Sequence, residues 1–184
     1  NPKGVYAYEL LKRADGGFYT QTAIYETKLV STGVKTVCYS VPDDIFNYIK
    51  GIKMATFSKS HVACIGYNKK LVLYNLANNQ WFTPEHPDID PYMIAWCGLD
   101  LFIINYTDGT YKLSLLKANM KTGFEMGLTS ELSGKPYSLS SYLSIISLSL
   151  PNIIALLTKD YKLMRIKVPF SATKIIPFSY HDYV

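Results

Sequence analysis

The chain has 184 residues, 48% of them hydrophobic and 18% charged, with a formal net charge of +5. That length can bury a substantial core, so one domain over 1–184 is expected, and the balance of apolar to charged residues excludes a disordered or fibrous chain. Arg13 and Arg165 are the only arginines, and most lysines stand singly in or beside turns, a placement that suits solvation and argues against a phosphate-tracking stripe and nucleic-acid binding.

Sixteen Tyr and eight Phe, with many Val, Ile and Thr, favour strands, because branched and aromatic side chains pack well on a pleated surface. Residues 4–12 alternate as a strand, and Ala14, Asp15, Gly16 and Gly17 supply the positive-φ positions of a tight hairpin. Residues 18–26 return, and 28–41 read as an outer strand or a pair broken at Gly33. A short helix is predicted over 45–49, with Asp43 or Asp44 as its cap and Gly51 as its stop.

From Lys53 the pattern becomes regular, with strands predicted over 54–58, 61–67, 71–76 and 80–83. The loop PEHPDIDP (84–91) follows. Four more strands are predicted over 92–96, 99–106, 111–117 and 122–126, with Thr107, Asp108 and Gly109 at the central hairpin. A last set falls over 142–148, 153–158, 161–167 and 173–178, with Lys159 and Asp160 at its hairpin. Central turns near Gly16, Lys69, Gly109 and Tyr161 lie 53, 40 and 52 residues apart.

A period of about 40 to 50 residues with four short strands per unit is the spacing of β-propeller blades. In the later units the second strand is nearly all apolar (VACI, LFII, IIALL) and the fourth short and mixed, as stacked sheets with a wet outer edge require. The expected fold is therefore all-β, a propeller-like array of about four antiparallel units. It is either whole or one arc of a larger ring. A β-sandwich shows similar strands and turns and is the alternative. The first unit lacks an innermost strand, which 177–184 (PFSYHDYV) are placed to supply.

The stretch Tyr74, Asn75, Leu76, Ala77, Asn78, Asn79, Gln80, Trp81 resembles the kelch repeat, in which a strand-ending Tyr, a polar turn and a Trp follow one another with Asn two before the Trp. It is similar, more loosely, to the WD-repeat layout. The resemblance covers one unit, and it implies a protein-binding scaffold.

The most polar cluster is Glu85, His86, Asp88 and Asp90, in a loop that Pro84, Pro87 and Pro91 hold extended. Converging carboxylates and imidazole can bind a divalent cation, but an extended loop splays them, so no metal is expected. Trp81, Phe82, Tyr92 and Trp96 flank the loop as interface anchors or as packing residues. Together with the polar cluster they form the candidate partner-binding set.

His61 and His181 have no nucleophile-elbow neighbour, and GxSxG, HExxH and phosphate-loop patterns are missing from the sequence. No catalytic residue and no cofactor are therefore expected. Cys38, Cys64 and Cys97 lie far apart in apolar settings and read as buried free thiols of an intracellular, reducing compartment. Against this, the sequon Asn105-Tyr106-Thr107 keeps open an extracellular carbohydrate- or receptor-binding domain glycosylated at Asn105.

The opening NPKGVYAYELLKRADGG lacks the apolar stretch of a signal peptide, and an excised fragment would read the same. Residues 136–158 carry no charge and are long enough to span a bilayer, but six serines, Asn152 and Pro151 make two buried strands broken at Pro151 the better reading. The serines of 138–149 suit a hydrogen-bonding or phosphorylated surface, and their alternation with Leu and Ile suggests strands. The expectation is a non-enzymatic scaffold or complex subunit that binds another protein.

Overall fold

The computed structural model describes residues 5–12, 18–84, 90–119, 123–142, 145–157 and 162–175. The expected turn at Gly16, the loop residues Glu85, His86 and Asp88, and the stretch 177–184 lie outside them. The fold is all-β with four antiparallel sheets, and the chain divides into two compact units, Asn1–Ile89 and Asp90–Val184.

In the first unit, β1 (Val5–Lys12), β2 (Phe18–Val30) and β3 (Gly33–Val41) form a three-stranded meander. The break at Gly33 occurs where expected, with φ +127°. The strand before it continues past Glu26 to Val30, because Thr27 to Val30 pair in unbroken register with Thr36 to Gly33.

Next comes α1 (Asp43–Ile49), whose cap differs from the prediction. Pro42 is the N-cap and no side chain caps it, so Asp43 and Asp44 fall in the first turn, where their charge favours the positive end of the helix. The stop also falls one residue early, at Lys50 in the left-handed conformation.

The second sheet contains β4 (Ile52–Phe57), β5 (His61–Gly66), β6 (Leu71–Asn75) and β7 (Gln80–Phe82), paired in sequence order. Its core joins Ile24, Tyr39 and Val41 of the first sheet, Ile49 of α1, and Ile52, Val62, Cys64 and Val72. Ala63, Ile65 and Leu73 on the alternate positions are also fully buried. Burial of both faces explains why β5 reads as one apolar run and does not alternate.

The second unit opens with β8 (Pro91–Cys97), β9 (Asp100–Thr107), β10 (Thr110–Asn119) and β11 (Gly123–Glu131). Its predicted central hairpin stands at Asp108 and Gly109, both with positive φ, the geometry that lets a two-residue turn match strand twist. The fourth sheet is β12 (Ser138–Tyr142), β13 (Ile145–Leu150), β14 (Ile153–Leu157) and β15 (Leu163–Lys167). One core joins these two sheets, Phe102, Ile104, Leu113 and Leu115 facing Leu139, Ile146, Leu148 and Leu157.

This last sheet is displaced from its prediction. Residues 138–150 make two strands, so the central turn is at Pro151 and Asn152, and residues 171–175 lie outside the sheet. With that correction the central turns become more even: Lys69 to Gly109 is 40 residues and Gly109 to Asn152 is 43. Among the described residues, no helix is long and apolar enough to cross a membrane.

Candidate functional site

Strand periodicity sorts the fourth sheet into two unlike faces. Leu139, Ile146, Leu148, Ala155 and Leu157 face the core. The alternate positions line up across the strands in two rows. Ser138 pairs with Ser149, Ser149 with Ile154, and Ile154 with Ile166. In the next row Ser140 pairs with Ser147, Ser147 with Leu156, and Leu156 with Met164. The outer face therefore has a serine half on β12 and β13 and an apolar half on β14 and β15.

The four serines are buried, and hydroxyls removed from water need partners. Residues 171–175 supply several of them. The Ser140 hydroxyl donates to the Ile175 carbonyl at 2.8 Å, and the Ile175 N–H donates to Ser138 Oγ at 3.2 Å. Ser149 donates to the Ala172 carbonyl. Ser171 is tied to the turn, accepting from the Asn152 N–H at 3.2 Å and donating to Asn152 Oδ1 at 3.3 Å. The fourth serine, Ser147, donates within the sheet to the Ser140 carbonyl at 3.4 Å.

On the apolar half, Ile154 and Leu156 are half-buried, while Met164 is 53% and Ile166 45% exposed. Phe170 on the connection to residues 171–175 is also exposed. The stretch 162–175 carries Lys162, Arg165, Lys167 and Lys174, all exposed, and no carboxylate. Basic residues on an edge strand discourage indiscriminate strand pairing, and by alternation Arg165 and Lys167 lie on the side of β15 opposite Met164 and Ile166.

The residues singled out from the sequence are dispersed. Trp81 sits on β7 of the first unit, its ring 5.0 Å from Tyr74 and its indole N–H donating to the Ser40 carbonyl at 3.3 Å. Phe82 meets the His61 ring edge-on at 6.0 Å. Asp90, in the second unit, donates its backbone N–H to Asn105 Oδ1 at 3.0 Å. Tyr92 packs against Tyr111 at 5.3 Å, and Tyr111 against Tyr106 at 4.4 Å. Trp96 is 3% exposed within β8, so its ring offers no surface, and its carbonyl accepts from Ser141.

Asn105 is buried at 4% exposure, and both ends of its amide are in use. Its Nδ2 donates to Ser114 Oγ at 3.0 Å, and Ser114 lies 3.3 Å from Thr129 Oγ1. A polar ladder therefore crosses β9, β10 and β11, and the sequon asparagine is its inner rung.

Of the three cysteines only Cys64 is buried; Cys38 is exposed and Cys97 half-buried, and all three are free thiols. The reading of all three as buried is corrected for Cys38 because it alternates outward on β3 between Val37 and the buried Tyr39. Burial pushes the Cys64 thiol far above its usual range, and burial and then Asp100 raise Cys97. His61 contacts Ser60 Oγ through Nδ1 at 2.9 Å, and burial lowers its pKa. Among the described residues, no three His, Cys, Asp or Glu side chains group as a metal would require.

Sequence reasoning noticed the serines but missed Met164 and Ile166. The available signal was LMRIK, in which alternate apolar residues occupy both faces of a strand whose neighbours in sequence are basic. No family model matches the chain, and no curated protein matches it.

Proposed function

We propose that the chain is a non-enzymatic, protein-binding scaffold built on propeller-like blades, and that the outer face of its fourth sheet is the partner surface. Exposed Met164 and Ile166 carry this reading, standing beside half-buried Ile154 and Leu156 on one continuous face. An apolar strip left open on a sheet face is a usual mark of an interaction site. The blade reading is supported by three successive four-stranded meanders with near-equal turn spacing.

The test is affinity capture with two baits, the full chain and its Met164→Asp, Ile166→Asp double variant, with matching circular dichroism as the fold control. The expected result is a stoichiometric protein retained by the first bait and lost from the second. Equal retention by both baits, or no stoichiometric partner for either, removes the reading.

A further inference from the structure

We infer that the serine half of this face is a receptor for extended main chain, and that residues 171–175 are its intramolecular ligand, occupying the place where a segment of the partner protein docks. The inference rests on the reading of this face as the partner surface and deepens it by naming the chemistry of the segment bound.

The contacts themselves define that chemistry. Ser138 and Ser140 grip the N–H and the carbonyl of one residue, Ile175, and Ser149 takes the carbonyl of Ala172. All these partners are backbone atoms. Thr173 and Lys174 between them are exposed, so the grip does not depend on their identity. Any extended segment offers the same donors and acceptors, which is how strand-addition receptors obtain affinity from main chain and specificity from flanking side-chain contacts.

The intramolecular ligand is weakly held. Ala172 and Ile175 are only half-buried and Ser171 is exposed, so the segment relies mainly on neutral hydrogen bonds, each of small net worth because water replaces it on opening. The segment also leaves part of the face unused. It passes from Asn152 to Ser149 and on to Ser138, while Ile166 in the same cross-strand row remains exposed. A partner segment laid along the row Ile166, Ile154, Ser149, Ser138 makes the same main-chain bonds and also buries apolar side chains on Ile166 and Met164. That added burial is what displaces the resident segment. The occupant is therefore an extended stretch of another protein with apolar side chains upstream of its serine-bound residues.

The experiment uses the full chain and a labelled synthetic peptide VPFSATKI, the sequence of residues 168–175, read by fluorescence anisotropy. Ile175→Pro removes the N–H that Ser138 accepts, loosening the segment from the serine half. Ser171→Ala is the second variant, loosening the tie to Asn152 in case the first disturbs the fold. Because the resident segment reduces the fraction of open receptor, the loosened chains are expected to bind the peptide about tenfold or more tightly than the wild type.

A peptide N-methylated at its isoleucine is expected to bind about tenfold or more weakly than the unmodified one. Equal binding by wild type and both variants, or equal binding of the methylated peptide, overturns the inference. So does light scattering that shows the loosened chains pairing into dimers, which makes a second copy the occupant. None of these failures touches the capture test, which reads the apolar half alone.

Discussion

Gly66 and Ile49 approach so closely that a Cβ built on Gly66 would stand 1.9 Å from the Ile49 carbonyl oxygen. The end of α1 is thereby docked directly on the last residue of β5, with the Tyr67 N–H donating to the Gly51 carbonyl at 3.3 Å beside it. The obstacle is backbone, which cannot swing aside as a side-chain tip can.

Gly66→Ala is expected to destabilise the first unit by about 3 kcal/mol or more, the upper end of the cost of overpacking. Urea unfolding followed through Trp81 fluorescence in a Trp96→Phe background reads this unit. The midpoint should fall with little change in slope. An unchanged midpoint would mean that the helix end moves away at no cost.

Tyr39 donates its hydroxyl to Glu26 Oε2 at 2.9 Å, with both residues buried in the first unit. Removing that donor in Tyr39→Phe is expected to cost about 1–3 kcal/mol, the penalty for taking a partner from a buried polar group. Burial, and then the bond to Glu26, hold the Tyr39 phenol well above its usual pKa. A raised folded-state pKa gives stability that is complete below the unfolded value of about 10 and is lost progressively as pH rises beyond it. The wild type should therefore lose stability faster than Tyr39→Phe above about pH 10. Parallel alkaline unfolding curves would rule this out.

Asn105 occupies the centre of the ladder from Asp90 to Thr129. Its side chain is enclosed at 4% exposure, so a sugar on the amide nitrogen has no room unless this packing opens. Expression through a glycosylating secretory pathway is expected to yield folded protein whose mass does not change on enzymatic deglycosylation. Folded, protease-resistant chain carrying a sugar at Asn105 would contradict the geometry. Asn105→Ala should cost about 1–3 kcal/mol in the second unit, because the Asp90 N–H loses its acceptor.

The three thiols are expected to react with an alkylating dye in three regimes, because the thiolate is the nucleophile and access limits the rest. Cys38 should label first and Cys97 more slowly, its thiol being half-buried and raised by burial and Asp100. Cys64 should label only when the first unit opens. Peptide mapping of timed samples gives the order. Early labelling of Cys64 would place it outside the core.

Much of the architecture was legible because turns and strands carry local signals. Asp108 and Gly109 turn where positive φ is needed, and the apolar runs of β5 and β9 match strands buried on both faces. The fourth sheet was misread where local signals are weak. β12 ends at Tyr142 and β13 begins at Ile145, in a stretch of Ser, Leu and Tyr without Gly, Pro or Asn. Alternation assigns each residue to a face, but it does not reveal where the chain reverses. Thr173 and its neighbours carry the composition of a strand, yet Ala172 and Ile175 bond serine side chains in place of a ladder.

The candidate site was legible in its parts only. The serines were visible as a hydrogen-bonding set, but the segment they hold begins more than twenty residues after Ser149. Trp96 and Tyr92 are both aromatic residues of β8, and only packing distinguishes the enclosed ring from the partly open one.

The order of residues by itself determined an all-β chain of short antiparallel meanders and the two-residue period that separates serines from leucines. Those properties arise from neighbours in sequence, through backbone preference and turn chemistry. Tertiary structure alone decided which face of each strand is enclosed, that Asn105 points inward, and that Met164 and Ile166 are left uncovered. Burial depends on what a distant stretch lays over a surface, and a one-dimensional pattern does not encode that partner.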